Sequence, residues 1–207
     1  ENELATLGKL PKEYEGLKNE RMLIVLGIFQ EKNNLCNCLR TYCKYAQDSL
    51  RNSEIAKESG VVEFHVSIVE KGFVDGLLEN INQQKNGSFH GKESGRQVLN
   101  GLLKKSDFTS PAGIQEFIKE LETLMGAKGQ KISVRSQLRQ NLSIDNFYKY
   151  IYSLDYLDPE YSIRSEGKSL EELSAGERGN LLLIFFLLIA KDSRPLIIDQ
   201  PEDNLDN

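Results

Sequence analysis

Ser174 and Glu177 stand three residues apart in the stretch LSAGERGN at 173–180, and the apolar run LLLIFFLLIA follows at once. Serine, glutamate three places on, then an apolar run is the pattern of a capping box. In that box the serine hydroxyl accepts from the Glu177 backbone N–H, and the glutamate carboxylate reaches back to the Ser174 N–H. The same turn suits an anion. A helix start leaves N–H groups without internal partners and carries the positive end of the macrodipole. Gly176 removes the side chain that would hold a phosphate oxygen away. Further on, PLIIDQPED at 195–203 reads as a short buried strand that ends in Asp199. A carboxylate at the C-terminal end of a core strand suits Mg²⁺ held beside phosphates, usually through water. Pro201 stops the strand, and Glu202, Asp203 and Asp206 add acid after it. The loop has no glycine, so an EF-hand reading fails. Each feature alone has a plain structural account, an N-cap or an acidic turn. Their order, with one apolar helix between, joins them into nucleotide chemistry.

The elements that must position these groups follow from periodicity. The segment 177–191 is apolar on every face and leucine-rich, which predicts a helix buried in a core. Before it, SIDNFYKYIYSLDYL from 143 reads as a helix, YSIRS at 161–165 as a strand and EGKS as a turn. At the other end, residues 11–57 read as one long helix or two stacked ones, with Pro11 at the first position. Apolar residues recur at Leu17, Ile24, Ile28, Leu35, Leu39, Tyr42, Ala46 and Leu50 in a heptad-like stripe. That stripe fits a coiled-coil arm or an amphipathic helix packed on a domain. ESG at 58–60 reads as its stop. VVEFHVSIVEKG then alternates as a half-buried strand with His65 on its polar face. Short helices are predicted at 73–83, 92–105 and 110–125, the last entered by a Ser110 cap and Pro111. The polar, glycine-rich stretch 83–95 reads as a loop. GAKGQKISVRSQLRQ carries Lys128, Lys131, Arg135 and Arg139 without an acid. It reads as a solvated loop, with a phosphate or nucleic-acid contact as the alternative.

Bulk properties narrow the class. A chain of 207 residues is enough for one large domain or two small ones. A net charge of −5 excludes a whole-chain basic nucleic-acid binder. The longest apolar run, 181–190, is far below a membrane span, and the N-terminus lacks a signal layout. The first residue is not Met, so the chain is expected to be cut from something longer. Cys36, Cys38 and Cys43 cluster in one segment, an odd count that does not make a disulfide framework. Their spacing lacks the paired C-x2-4-C of a zinc site. They read as small hydrophobes on a helix in a reducing, cytoplasmic protein.

LSAGERG followed by LIIDQPEDNLD resembles the signature motif, Walker B strand and D-loop of ABC-type ATPases. The pattern is most similar to the SMC- and RecF-like branch, where a coiled coil splits the ATPase into two halves. IIDQPEDNLDN resembles the ATPase part of the TrlF family, large bacterial proteins that join a PHP-type phosphoesterase domain to such an ATPase. The resemblance implies an α/β fold, the C-terminal half of a P-loop ATPase head. That half would be a mostly helical lobe with a long N-terminal helix and a few core strands. Residues 1–58 would be the helix, a returning coiled-coil arm. Residues 59–207 would be the lobe, with signature 173–179, Walker B 195–200 and D-loop 202–207. Ser174 and Gly176, with the backbone at Ala175 and Glu177, would touch the γ-phosphate of ATP held by a second head. Asp199 would serve Mg²⁺, and Asp206 would connect the two sites.

Two departures qualify these implications. Gln200 stands where most of the superfamily has the glutamate that polarises the attacking water. An amide orients water but does not take its proton, so Glu202 is the substitute candidate. No G-x4-G-K-[ST] occurs in the chain, and no histidine follows the D-loop before Asn207. The expectation is therefore an ATPase half truncated in mid-motif and inactive alone. Its partners would be a second head as a homodimer, the Walker A half, a PHP-type domain and DNA, in nucleic-acid processing or phage defence. The rival readings are a helical dimerisation module and a nucleic-acid-binding fragment using 128–139.

Overall fold

The computed structural model describes residues 2–51, 62–126, 133–165 and 167–189. It is a mixed α/β chain, mostly helical, with one small sheet. Two compact units divide it: residues 1–34 with 68–158, and residues 35–67 with 159–207.

Helix α1 spans Asn2–Arg51. It begins nine residues before Pro11, which therefore lies inside the helix and not at its first position. The ring removes one backbone bond and crowds the carbonyl four residues back. An exposed helix 50 residues long absorbs that loss in its first turns. The expected stop at 58–60 lies outside the described residues. The face that α1 buries is not the expected stripe. Val25, Phe29 and Cys36 are buried, while Leu17, Ile24, Leu35 and Tyr42 are more than half exposed.

In the first unit, α2 (Phe73–Asn80), α3 (Lys92–Lys105), α4 (Pro111–Met125), α5 (Val134–Gln137) and α6 (Ile144–Tyr152) surround an aromatic core. The Phe73 ring lies 5.2 Å from Phe117, edge-on, and 4.6 Å from Tyr156. Full burial of side chains this size is worth about 1.5–3 kcal/mol each. Ser110 caps α4 as its sequence predicts: its Oγ accepts from Gly113 N at 3.1 Å, with Pro111 opening the helix. Helix α6 is shorter than the pattern suggested. It stops at Tyr152, and buried Leu154 turns the chain at φ 54°, a conformation uncommon for residues other than glycine. The Tyr156 hydroxyl donates to Ile151 O at 2.9 Å and ties the turn back to the helix.

Two ion-pair contacts hold the early part of α1 within this unit. Arg21 bonds Glu122 at 2.5 Å and lies over the Tyr152 ring at 4.1 Å. The Tyr152 hydroxyl donates to the same carboxylate at 2.6 Å. Lys32 faces Asp158 at 3.9 Å.

Strands β1 (Val62–Glu70), β2 (Leu157–Ser165) and β3 (Lys168–Ser169) form one sheet in the order β1-β2-β3, with β2 and β3 antiparallel. Val66 is buried and His65 exposed, as the alternation predicts. In the second unit the Arg40 guanidinium donates twice to Val66 O, at 3.2 and 3.0 Å. Strand β2 starts four residues before the predicted YSIRS and includes Pro159. Gly167, at φ 81°, makes the tight turn into β3. Helix α7 then covers Ala175–Ile189.

Candidate functional site

The turn at the start of α7 is the site the sequence points to, and the capping box is present in full. Ser174 Oγ accepts from Glu177 N at 3.0 Å, and Glu177 Oε2 accepts from Ser174 N at 2.7 Å. Arg178 N donates to Ser174 O at 3.0 Å, the first helical bond. Leu173, just before the cap, is buried at 5% and anchors the entry, while Leu181 is buried at 3% two turns in. Leu182 and Phe186 are more than half exposed, so α7 is not buried on every face as its apolar sequence predicts; the box decides where the helix begins.

Lys168 is the residue that sequence reasoning passed over. It was part of the turn EGKS, yet it lies on β3 and its Nζ is 3.2 Å from Glu177 Oε1. The strand pairs Arg164 with Ser169 and Ser165 with Lys168, which brings the ammonium back over the turn. The pattern that could have found it is the glycine at 167: a turn there folds the next residues back along β2. A second carboxylate braces the approach, because Glu172 accepts from Ser169 N at 2.7 Å.

These contacts set the electrostatics. The Ser174 backbone N–H, with help from Lys168, holds the Glu177 carboxyl below the ordinary glutamate value. The Ser169 N–H does the same for Glu172. Both carboxylates are therefore ionised at neutral pH. Of the four N–H groups that a helix start leaves over, the box satisfies those of Ser174 and Glu177. The N–H groups of Ala175 and Gly176 have no carbonyl within the helix to donate to. Ser174 and Ala175 are exposed, whereas Gly176 is buried. The surface this turn offers an incoming group is thus the Ser174–Ala175 edge with Lys168 beside it.

The donor set fits a phosphate group: a hydroxyl, first-turn amides and an ammonium. One feature opposes it, since Glu177 already places a carboxylate at the positive end of α7. Asp199, Gln200, Glu202 and Asp206, the expected metal, water-handling and D-loop residues, lie outside the described residues. Among the described residues no three His, Cys, Asp or Glu side chains converge as a metal site. Cys36 is buried, Cys43 half-buried and Cys38 exposed, so the three do not share one face of α1.

The basic stretch resolves in part. Lys128 and Lys131 lie outside the described residues. Arg135 is exposed on α5. Arg139 donates through Nε to Ile81 O at 3.3 Å and through a terminal nitrogen to Leu78 O at 3.4 Å. It caps the carbonyl end of α2, a structural task that a solvated charge run does not predict.

Among the described residues no helix is long and apolar enough to cross a membrane. No family model, curated protein or solved structure matches this chain.

Proposed function

We propose that the chain is part of an ABC-type ATPase of the SMC-like kind, supplying a signature turn in trans and a Walker B strand. The observation that carries this reading is the rigid, cationic-edged turn at Ser174–Glu177, followed in sequence by an apolar helix and then LIIDQPED. ATP, when bound with Mg²⁺ on a second head, supplies the phosphoanhydride. Ser174, the Ala175 backbone and Lys168 then meet its terminal phosphate. Glu177 keeps the turn in shape while Lys168 offsets its charge. Asp199 is assigned to Mg²⁺, Gln200 and Glu202 to the water, and Asp206 to the contact between sites. The Walker A loop comes from another segment or chain, because these residues contain none. A cytoplasmic, DNA-directed cycle fits that chemistry.

The test uses Ala175→Glu. An acidic residue in the first helical turn favours the helix, by roughly 0.3–1 kcal/mol. Folding is therefore kept while a phosphate is repelled. The chain alone is expected to show no micromolar heat with MgATP in calorimetry. With the Walker A-bearing polypeptide it is expected to associate in light scattering only when MgATP is present, and Ala175→Glu should abolish that association. Micromolar ATP binding by the chain alone, or association that ignores ATP and the substitution, would overturn the reading.

A further inference from the structure

The first unit holds an open cavity of about 570 Å³ between α3 and α4. Residues 106–110 alone connect these helices. A connection that short lays two helices side by side in opposite directions. Gly101 forms the floor: nothing lies within 4 Å of the place a Cβ would take. Glycine weakens a helix interior relative to alanine. At Gly101 neither a left-handed φ nor a close neighbour asks for it. What the missing side chain leaves is depth. Val98, Leu102 and Leu124 wall that floor with apolar groups, and Leu102 is buried. The volume falls in the range of small-molecule sites, roughly 300–1,000 Å³.

The rim carries charge of both signs. Lys105 of α3 and Glu116, Lys119 and Glu120 of α4 line the opening and are exposed. Among the described residues, none of these four side chains makes an ion pair or a hydrogen bond. The Ser88 and Thr123 hydroxyls, by contrast, donate to Leu124 O and Lys119 O at 2.6 and 2.8 Å, so these two neutral groups are spent inside the fold. A simple anion meets two carboxylates here, and a simple cation meets two ammonium groups. A wholly apolar molecule would strip water from the charges without replacing it. A molecule with one charge of each sign and an apolar body satisfies both halves of the rim. We infer that this cavity binds a short apolar peptide with free ends, its carboxylate on the lysines, its ammonium on the glutamates and a side chain over Gly101. An extended dipeptide is about 7 Å long. Glu116 and Glu120 stand about 6 Å apart along α4, with Lys119 between them, so both peptide ends stay on one rim. All these residues belong to the first unit, and none takes part in the nucleotide reading.

The test titrates the 207-residue chain with the dipeptide leucyl-phenylalanine at neutral pH in a calorimeter. The expected Kd is roughly 0.1–1 mM, because an open cavity covers only part of its ligand. The N-acetyl and the C-terminal amide forms each keep one charge. Each should bind about fivefold more weakly, the scale of an exposed ion pair. Gly101→Leu should weaken binding of the free dipeptide by about tenfold or more, because the leucine fills the floor. Leucine is a good helix former, so the fold is kept. The pair Glu116→Gln, Glu120→Gln should reverse the preference and take the N-acetyl form more tightly than the free dipeptide. Lys104→Gln, exposed on α3 outside the cavity, is the control and should leave binding within about twofold. No heat up to about 10 mM dipeptide overturns the inference. So does equal binding of the free and the doubly capped dipeptide, or unchanged binding by Gly101→Leu. An N-acetyl form that binds wild type as tightly as the free dipeptide also overturns it, and gives the site to a carboxylate alone.

Discussion

Gly113 and Gly101 offer a paired test in which one substitution, glycine to alanine, should change stability in opposite directions. Both lie in helices of the first unit, Gly113 in the first turn of α4 and Gly101 inside α3. Propensity alone favours alanine at either site by up to about 1 kcal/mol. At Gly101 nothing lies within 4 Å of an added Cβ, so that gain should appear, at about 0.5–1 kcal/mol. The methyl would enter an open cavity of about 570 Å³ that Gly101 helps to line with Val98, Leu102 and Leu124. At Gly113 the added Cβ would stand 2.0 Å from Asp107 O and 2.7 Å from Asp107 Cβ. Asp107 cannot easily give way. Its Oδ1 accepts from Thr109 N at 2.8 Å, its Oδ2 accepts from Ser110 Oγ at 2.6 Å, and Ser110 in turn caps Gly113 N. Overpacking against a pinned backbone costs about 1–3 kcal/mol, and losing the Ser110 cap costs about 1 more. Gly113→Ala should therefore be destabilising by about 1–3 kcal/mol net, after the propensity gain is subtracted. Urea denaturation followed by far-UV circular dichroism reads both as midpoint shifts at constant slope. Equal midpoints for Gly113→Ala and wild type would refute the packing argument. A destabilised Gly101→Ala would refute the claim that its Cβ position is open.

Two further outcomes follow from the charged contacts. Arg21→Met should cost about 1 kcal/mol, reduced in high salt, because the pair with Glu122 is about one-third exposed on the arginine side. A double-mutant cycle with Tyr152→Phe should show coupling between the two, since both contact the Glu122 carboxylate. The Glu177 carboxyl is held below its ordinary value, so it supports the cap fully above that value. The support is lost as pH falls through the lowered one. Amide exchange at Ser174 should then accelerate, beyond intrinsic exchange, on the acid side, and Glu177→Gln should remove that pH dependence. An unchanged acid profile in Glu177→Gln would show that the reach-back bond is not what protects the turn.

Much of the local structure was legible before any fold was known. Ser110-Pro111 and Ser174-x-x-Glu177 are cap signals whose partners lie three residues away, so their geometry does not depend on tertiary context. The alternation around His65 worked for the same reason, strand period being a property of the chain; the apolar run gave a helix through Ile189, but not one buried on every face, since Leu182 and Phe186 are 55 and 53% exposed. The long helix was legible as a helix, but its buried face was not. Heptad counting selected Leu17, Ile24 and Leu35, and folding buried Val25, Phe29 and Cys36 instead. An amphipathic pattern says that a face is apolar and not which neighbour it meets. Two apolar faces on one helix leave that choice to the rest of the protein.

By itself the sequence determined the capping box and the helix behind it, because each depends on residues within a few turns of one another. Only the tertiary structure decided which charges work together. Lys168 reaches Glu177 across nine residues through a β-turn, and Arg21 finds Glu122 across 101. Arg139, read as part of a basic run, caps the far end of a helix 58 residues earlier in the chain. Those pairings arise when hydrophobic packing brings distant segments together, and electrostatic partners are chosen from whatever that packing leaves within reach.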